Sequence, residues 1–290
     1  MPEGGALINL GDLSKPATVL VEKVCGAVGV LFEPTRIKRQ ARAEAEADKI
    51  KALARIELRD IEQRALERFL HQEARKQENI ESITAQAAAS LPHDAKVEGL
   101  EEDWIANFFE KCQSISDQEM QSLWSRLLAG EATAPGTYSK RTVDFVSTID
   151  KKDAALFTKF CQFVWMIGTP IPLIFDVEDD IYKSAGIHFS DLKHLDAIGL
   201  ISFESVSGYI RKGFGKNAVI FYYGKPMLLE FANDANNQLQ IGHALLTNTG
   251  AELVNICGSE PNEKVTEYVA RKWADQNVAL ASIPLRSKQA

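Results

Sequence analysis

"RIKRQARAEAEADKIKALARIEL", Arg36 to Leu58, contains neither glycine nor proline and is rich in Ala, Glu, Lys and Arg. Ala and straight-chain residues lose little freedom in a helix, so the stretch reads as helical. The spacing of its apolar positions decides what the helix faces. They fall at Ala47, Ile50, Ala54, Leu58, Ile61, Ala65 and Phe69, in steps of three, four and four. Gln72 and Lys76 interrupt the pattern, which resumes in phase at Ile80, Ile83, Ala87 and Leu91. An eleven-residue period gives a nearly straight or slightly right-handed helix. With Pro92 as the stop, the spacing predicts a long charged helix over 35–92, about 55 residues or about 80 Å. Its one narrow apolar stripe needs a parallel copy, another partner or an antiparallel return. Ile50, Ala54, Leu58, Ile61, Ala65 and Phe69 are therefore expected to form the seam of a coiled-coil-like homo-oligomer. A competing reading breaks the helix near "QEARKQ", Gln72 to Gln77, and packs two shorter helices within one chain.

Upstream, residues 17–32 read as a short apolar helix, with Pro16 in the first turn and Pro34 as the stop. Leu20, Val24, Val28, Leu31 and Phe32 occupy most of its circumference, so something must cover it. Arg36, Lys38, Arg39 and Arg42 follow at once, with no acidic residue among them. An apolar segment beside a basic cluster suits an anionic membrane surface. It equally suits an interface in which the arginines pair with "EAEAD" of a neighbouring subunit. Segment 1–34 is thus expected to touch lipid, a protein partner, or both.

Composition narrows the classes. Of 290 residues, 45% are hydrophobic and 25% charged, which fits a soluble globular protein. The net charge of −7 argues against indiscriminate nucleic-acid binding. Cys25, Cys112, Cys161 and Cys257 are far apart with no CxxC pair, so they read as buried free thiols of a reducing cytosol. "MPEGGALINLGDLSKP" lacks the basic start and apolar core of a signal peptide. "ATVLVEKVCGAVGVLF" and "FCQFVWMIGTPIPLIF" are interrupted by charged residues or prolines, and neither reads as a membrane span. The expected location is the cytoplasm, with the inner membrane's surface included if the first segment binds lipid.

The region 93–150 reads as helical. Trp104, Ile105, Phe108 and Phe109 give one apolar face. "SDQE", Ser116 to Glu119, has the form of a capping box with Ser116 as N-cap, opening a helix that Gly130 closes. Region 151–290 is richer in strands. "FSDLKHLDAIGLISFE" reads as a helix with Ser190 as N-cap, then a strand. "YIRKGFGKNAVIFYYG" reads as a hairpin with its tip at Lys212 to Asn217. "ALLTNTGAELVNICG" reads as a strand entering a helix capped by Thr247 or Asn248, and a closing helix follows over 262–276.

Three resemblances accompany these patterns. "LKHLDAIGLI", a hairpin and "LLTNTGAEL" are similar to winged-helix domains, which implies a winged-helix-like α+β module. The whole chain resembles a bacterial family known as domain of unknown function 2806. The residues that carry this are "INLGDLSKPATVLVEKVCGAVGVLFEPTRIKRQA", "LWSRLLAGEATAPGTYSKRTVDF", "LKHLDAIGLISFES" and "LLTNTGAELVNICG". That family brings no catalytic residues. "LWSRLLAGE" with "LTNTGAEL" is more loosely similar to alpha-type abortive-infection proteins, which would imply antiphage defence.

Motifs for specific chemistry fail on spacing. "GYIRKGFGKN", Gly208 to Asn217, has Phe214 and Asn217 where a phosphate-binding loop needs other residues, and a strand follows it. Arg211, Lys212 and Lys216 could touch nucleic-acid phosphates from a wing tip, although a solvated loop fits better. His71, His93, His188, His194 and His243 form no HExxH pair, and "DVEDD", Asp176 to Asp180, lacks EF-hand spacing. It reads instead as charge at a helix N-terminus. No nucleophile signature appears, so neither a catalytic residue, a metal nor a cofactor is expected. The sequence therefore predicts a mostly α protein with a long N-terminal helix, a helical middle and a C-terminal winged-helix-like module. The function expected is a non-enzymatic, self-assembling cytoplasmic protein, with a winged-helix DNA-binding regulator as the alternative.

Overall fold

A computed structural model describes residues 13–29 and 60–283. Chain contacts divide it into two units, Met1–Ser147 and Thr148–Ala290.

The first unit is helical. Helix α1 spans Lys15–Val28; the Ser14 hydroxyl caps it, and Gly29, in the left-handed region, ends it. Its end at Val28, four residues short of the expected one, leaves Leu31 and Phe32 outside the described residues. Helix α2 spans Asp60–Ser90, and its 31 residues run unbroken through Gln72 to Gln77. The long N-terminal helix expected over 35–92 is therefore corrected: the helix at the N-terminal end is α1, and α2 is a separate element. Residues 35–59, with Ile50, Ala54 and Leu58, lie outside the described residues.

Helices α3 (Glu102–Cys112), α4 (Gln118–Thr133) and α5 (Lys140–Thr148) complete this unit. Leu20, Val24, Ile83, Ile105, Phe108 and Trp124 are each fully buried in its core. Burying such a side chain stabilises by about 1.5–3 kcal/mol. Phe108 meets Trp124 edge-on with ring centroids 5.1 Å apart. Asp117, not Ser116, caps α4 by accepting from the Glu119 and Met120 amides. Gly130 does not close that helix. It lies inside it, where a Cβ would come within 2.6 Å of the Tyr138 ring. The neighbouring Glu131 is buried and holds the turn that follows: Gly136 N–H donates to one carboxylate oxygen at 2.6 Å and Tyr138 N–H to the other at 2.7 Å. The Trp104 indole then donates to the Tyr138 carbonyl at 2.8 Å.

The second unit opens with α6 (Lys151–Cys161) and strands β1 (Val164–Ile167) and β2 (Thr169–Pro172). Helices α7 (Asp180–Ser184) and α8 (Phe189–Ala197) precede β3 (Ile201–Phe203), β4 (Tyr209–Phe214), β5 (Asn217–Tyr222) and β6 (Lys225–Phe231). Strands β7 (Asn237–Gly242) and β8 (Ala244–Leu246), helices α9 (Asn248–Leu253) and α10 (Glu263–Ala274), and strand β9 (Val278–Ser282) follow. His188 caps α8 in a reciprocal box with Asp191, in place of the expected Ser190. The Thr247 side chain caps α9.

The winged-helix expectation is overturned by the pairing. A wing needs β4 and β5 to pair with each other across their connecting turn. Instead β4 pairs with β7, while β5 pairs with β6 and β1. The result is a five-stranded antiparallel sheet in the order β2-β1-β5-β6-β9, beside two separate strand pairs, β3–β8 and β4–β7. The true hairpin is β5–β6, closed by Tyr223 and Gly224, both with positive φ. That is the two-residue turn whose twist matches paired strands.

Candidate functional site

The seam residues that can be placed lie on the first half of α2. Ile61 is 67% exposed and Phe69 56%, with Ala65 exposed between them and Leu70 exposed beside Phe69. From Asn79 onward the same helix buries one face, with Asn79, Ile80, Ile83, Thr84 and Ala87 inside. A polar network fixes the change. Asn79 donates to the Gln113 carbonyl at 2.9 Å, and Gln121 donates to Asn79 Oδ1 at 3.0 Å and to the Ile115 carbonyl at 2.8 Å. Ser82 donates to Gln121 Oε1 at 2.8 Å. Buried amides with satisfied partners set one register for α2 against α4.

The residues expected to touch lipid are placed differently. Leu20 and Val24 are buried inside the first unit, and Val28 is half-buried. Lys23 donates to the Leu100 carbonyl at 2.8 Å, a further tie of α1 into that unit. The apolar face read as a lipid or partner contact is thus largely a core face. Arg36, Lys38, Arg39 and Arg42 lie outside the described residues. Among the described residues no helix is long and apolar enough to cross a membrane.

The three basic residues assigned to a wing tip do not converge. Arg211 donates its guanidinium N–H to the Ile167 carbonyl. Lys216 pairs with Asp234 at 3.3 Å, and Lys212 lies on β4 facing solvent.

A second apolar surface lies on the outer face of the five-stranded sheet. Met166 pairs with Phe221 across β1 and β5, and Val219 pairs with Leu228 across β5 and β6. Phe221 is 42% exposed and Val219 52%. A solvated face of an antiparallel sheet ordinarily alternates to polar.

A cleft of about 450 Å³ is lined by Phe175, Tyr209, Gln240, His243, Lys272 and Gln276, among others. Strand β7 ends at Gly242, with φ +94°, where a Cβ would stand 2.1 Å from the Ile174 carbonyl oxygen. Only glycine permits that approach. The next amide, His243 N–H, donates to the same carbonyl at 2.7 Å. The His243 ring places Nδ1 2.7 Å from the Glu204 carbonyl. A carbonyl only accepts, so Nδ1 carries the proton, and in the neutral ring Nε2 is left as an acceptor.

The opposite wall is held by an aromatic and ionic chain. Tyr182 O–H donates to the Leu173 carbonyl at 2.8 Å, and the Phe175 amide donates to the Tyr182 oxygen at 3.0 Å. Tyr268 O–H donates to Asp179 Oδ2 at 2.5 Å, and Lys272 Nζ lies 2.9 Å from the same oxygen. Burial alone would raise the Asp179 pKa. Hydrogen bonds from Tyr268 and Lys272, with the charges of Lys272 and Lys183, outweigh it and leave the carboxyl below its usual value. Burial pushes the Tyr182 and Tyr268 phenols well up, so both remain donors. The run Asp176 to Asp180 is therefore more than helix-end charge, since Asp179 ties α7 to α10. The sequence marked His243 only as a failed metal ligand. The signal it offered was the glycine ending the alternating "NQLQIG". Among the described residues no group of three or more His, Cys, Asp or Glu could hold a metal ion.

No match was found among curated proteins or among solved structures. A family model does match, over residues 63–270. That span includes most of α2, the Glu131 turn and the whole stretch from α6 to β8. The match covers well over half of the chain, which therefore belongs to the family described as Protein of unknown function (DUF2806).

Proposed function

We propose that this chain is a self-assembling protein in which the exposed half of α2 docks on a second copy. The observation that carries the reading is the uncovered stripe of Ile61, Ala65 and Phe69 on a helix whose other half is firmly packed. Residues four apart form a ridge, which is the surface that a second helix accepts. The exposed parts of Ile61 and Phe69 come to roughly 240 Å² per copy, worth about 6 kcal/mol at 25 cal/mol per Å². Two copies together exceed the lower estimates of the cost of association, about 4 kcal/mol upward. The apolar outer face of the five-stranded sheet supports the same reading, because it gives the second unit a surface suited to burial.

The test is particle mass by light scattering, for the wild type and for a variant with Ile61→Glu and Phe69→Glu. Both positions are exposed, so each unit keeps its fold. The wild type is expected at a multiple of the chain mass at micromolar concentration, and the variant at the mass of one chain. A wild-type monomer would sink the reading and would leave the chain's own residues as the cover of this stripe.

A further inference from the structure

Two cysteines lie on neighbouring segments of the second unit. Cys161 is the last residue of α6 and is buried, while Cys257 follows α9 and is half-buried. Burial, and after it the neighbouring Cys257 thiol, hold the Cys161 thiol well above its ordinary pKa, and the Cys257 thiol donates to the Val254 carbonyl at 3.3 Å. The backbones on both sides are tied. Thr158, one turn before Cys161, donates its hydroxyl to the Cys257 carbonyl at 2.9 Å. Tyr223 O–H lies 2.7 Å from Ser259 Oγ and 3.2 Å from the Cys161 carbonyl. Tyr222 O–H donates to the Gln162 carbonyl at 2.8 Å and accepts from the Asn262 amide at 2.9 Å. These bonds tie the end of α6, the hairpin tip and the 257–262 loop to one another and keep the backbones of Cys161 and Cys257 close. An open cleft of about 620 Å³ is lined by Thr158, Gln162, Gly258, Ser259 and Asn262 among others, so solvent reaches the residue after the half-buried Cys257.

We propose that Cys161 and Cys257 form a reversible disulfide when the protein meets hydrogen peroxide. The Cys257 thiolate attacks one peroxide oxygen: an S–O bond forms, the O–O bond breaks, and the other oxygen leaves as water after taking up a proton. Cys257 is then a sulfenic acid, oxidised by the two electrons that reduced the peroxide. The Cys161 sulfur attacks the Cys257 sulfur, the S–S bond forms, and the hydroxyl leaves as water with the Cys161 proton. In total, two thiols and one peroxide give one disulfide and two waters. A small-molecule dithiol reverses the step. Cys257, the less buried of the two, meets the peroxide, and the buried Cys161 resolves the sulfenic acid.

The test is peptide mapping of the full chain after mild hydrogen peroxide and alkylation. The expected product is a Cys161–Cys257 linked peptide pair, lighter by two hydrogens, that outweighs every other cysteine linkage at least tenfold and vanishes with dithiothreitol. Cys257→Ser, at the half-buried position, should remove the linkage and leave Cys161 as a free thiol. Amide exchange over 258–261 should slow in the oxidised protein, because the loop is then bonded to α6. Linkage of Cys257 mainly to Cys25, to Cys112 or to another chain would overturn the proposal. So would stable sulfenic or sulfinic acid at Cys257 with Cys161 unlinked.

Discussion

Replacing Gly242 by Ala tests whether the cleft is built on one close backbone approach. The added Cβ would stand 2.1 Å from the Ile174 oxygen and 2.5 Å from its carbon. Non-bonded carbon and oxygen need roughly 3.3 Å, so the two backbones must part by about 1 Å. That separation breaks the His243 N–H to Ile174 carbonyl bond at 2.7 Å and the Ile174–Gly242 bridge. Losing a buried hydrogen bond costs about 1–3 kcal/mol. A left-handed φ on alanine adds about 1–2 kcal/mol. The expected loss is about 2–5 kcal/mol, or a fall in Tm of about 7–17 °C for a unit of this size. Gly224→Ala is the control, because it has φ +76° with nothing within 4 Å of its Cβ and loses only the conformational part. Thermal melts by near-ultraviolet circular dichroism read both, since Trp165 and Trp273 report on this unit. Equal melting of the two variants would refute the close-approach account.

Glu131→Gln in the first unit replaces one of two accepting oxygens by a donor facing a backbone N–H. A loss of about 2–3 kcal/mol is expected in urea melts, with the slope unchanged. Asp179 has a folded pKa below its unfolded value of about 3.9, so its contribution is full above pH 4 and disappears as pH falls through the lower folded value. Asp179→Asn should therefore flatten the acid side of the stability curve between about pH 4 and pH 2 without steepening the curve above pH 5. An unchanged acid limb would show that the Tyr268 and Lys272 contacts contribute nothing to stability.

What the sequence revealed follows from how local each signal was. The face of Trp104, Ile105, Phe108 and Phe109 is the buried face of α3, because periodicity over one short helix needs no knowledge of the rest of the chain. The stop at Pro92 agrees with the end of α2 at Ser90. Pairing was not legible. Gly213, Gly215 and Lys216 between two strand-like runs look like a hairpin tip, and nothing local shows that the chain changes sheets there. Gly130 was misread as a helix end because its partner, Tyr138, is brought back only by the turn that Glu131 holds. His243 and Asp179 owe their roles to groups far away in sequence: Glu204 for one, Tyr268 and Lys272 for the other. The closeness of the segments that carry Cys161 and Cys257 was equally hidden by distance along the chain.

The Asn79, Ser82 and Gln121 network has a consequence for the rest of α2. An α-helix transmits rotation as a rigid shaft, so the azimuth fixed at Asn79 also fixes the compass bearing of Phe69, about three turns away, and of Ile61, about five turns away. Each residue advances that bearing by about 100° and the rise by about 1.5 Å. One alanine inserted between Lys76 and Gln77 would keep every side chain and every buried bond. It would swing the stripe by more than a quarter-circle, and two copies matched through the original bearing would no longer face each other. In this helix, orientation is information stored in the packed half and read out at the other.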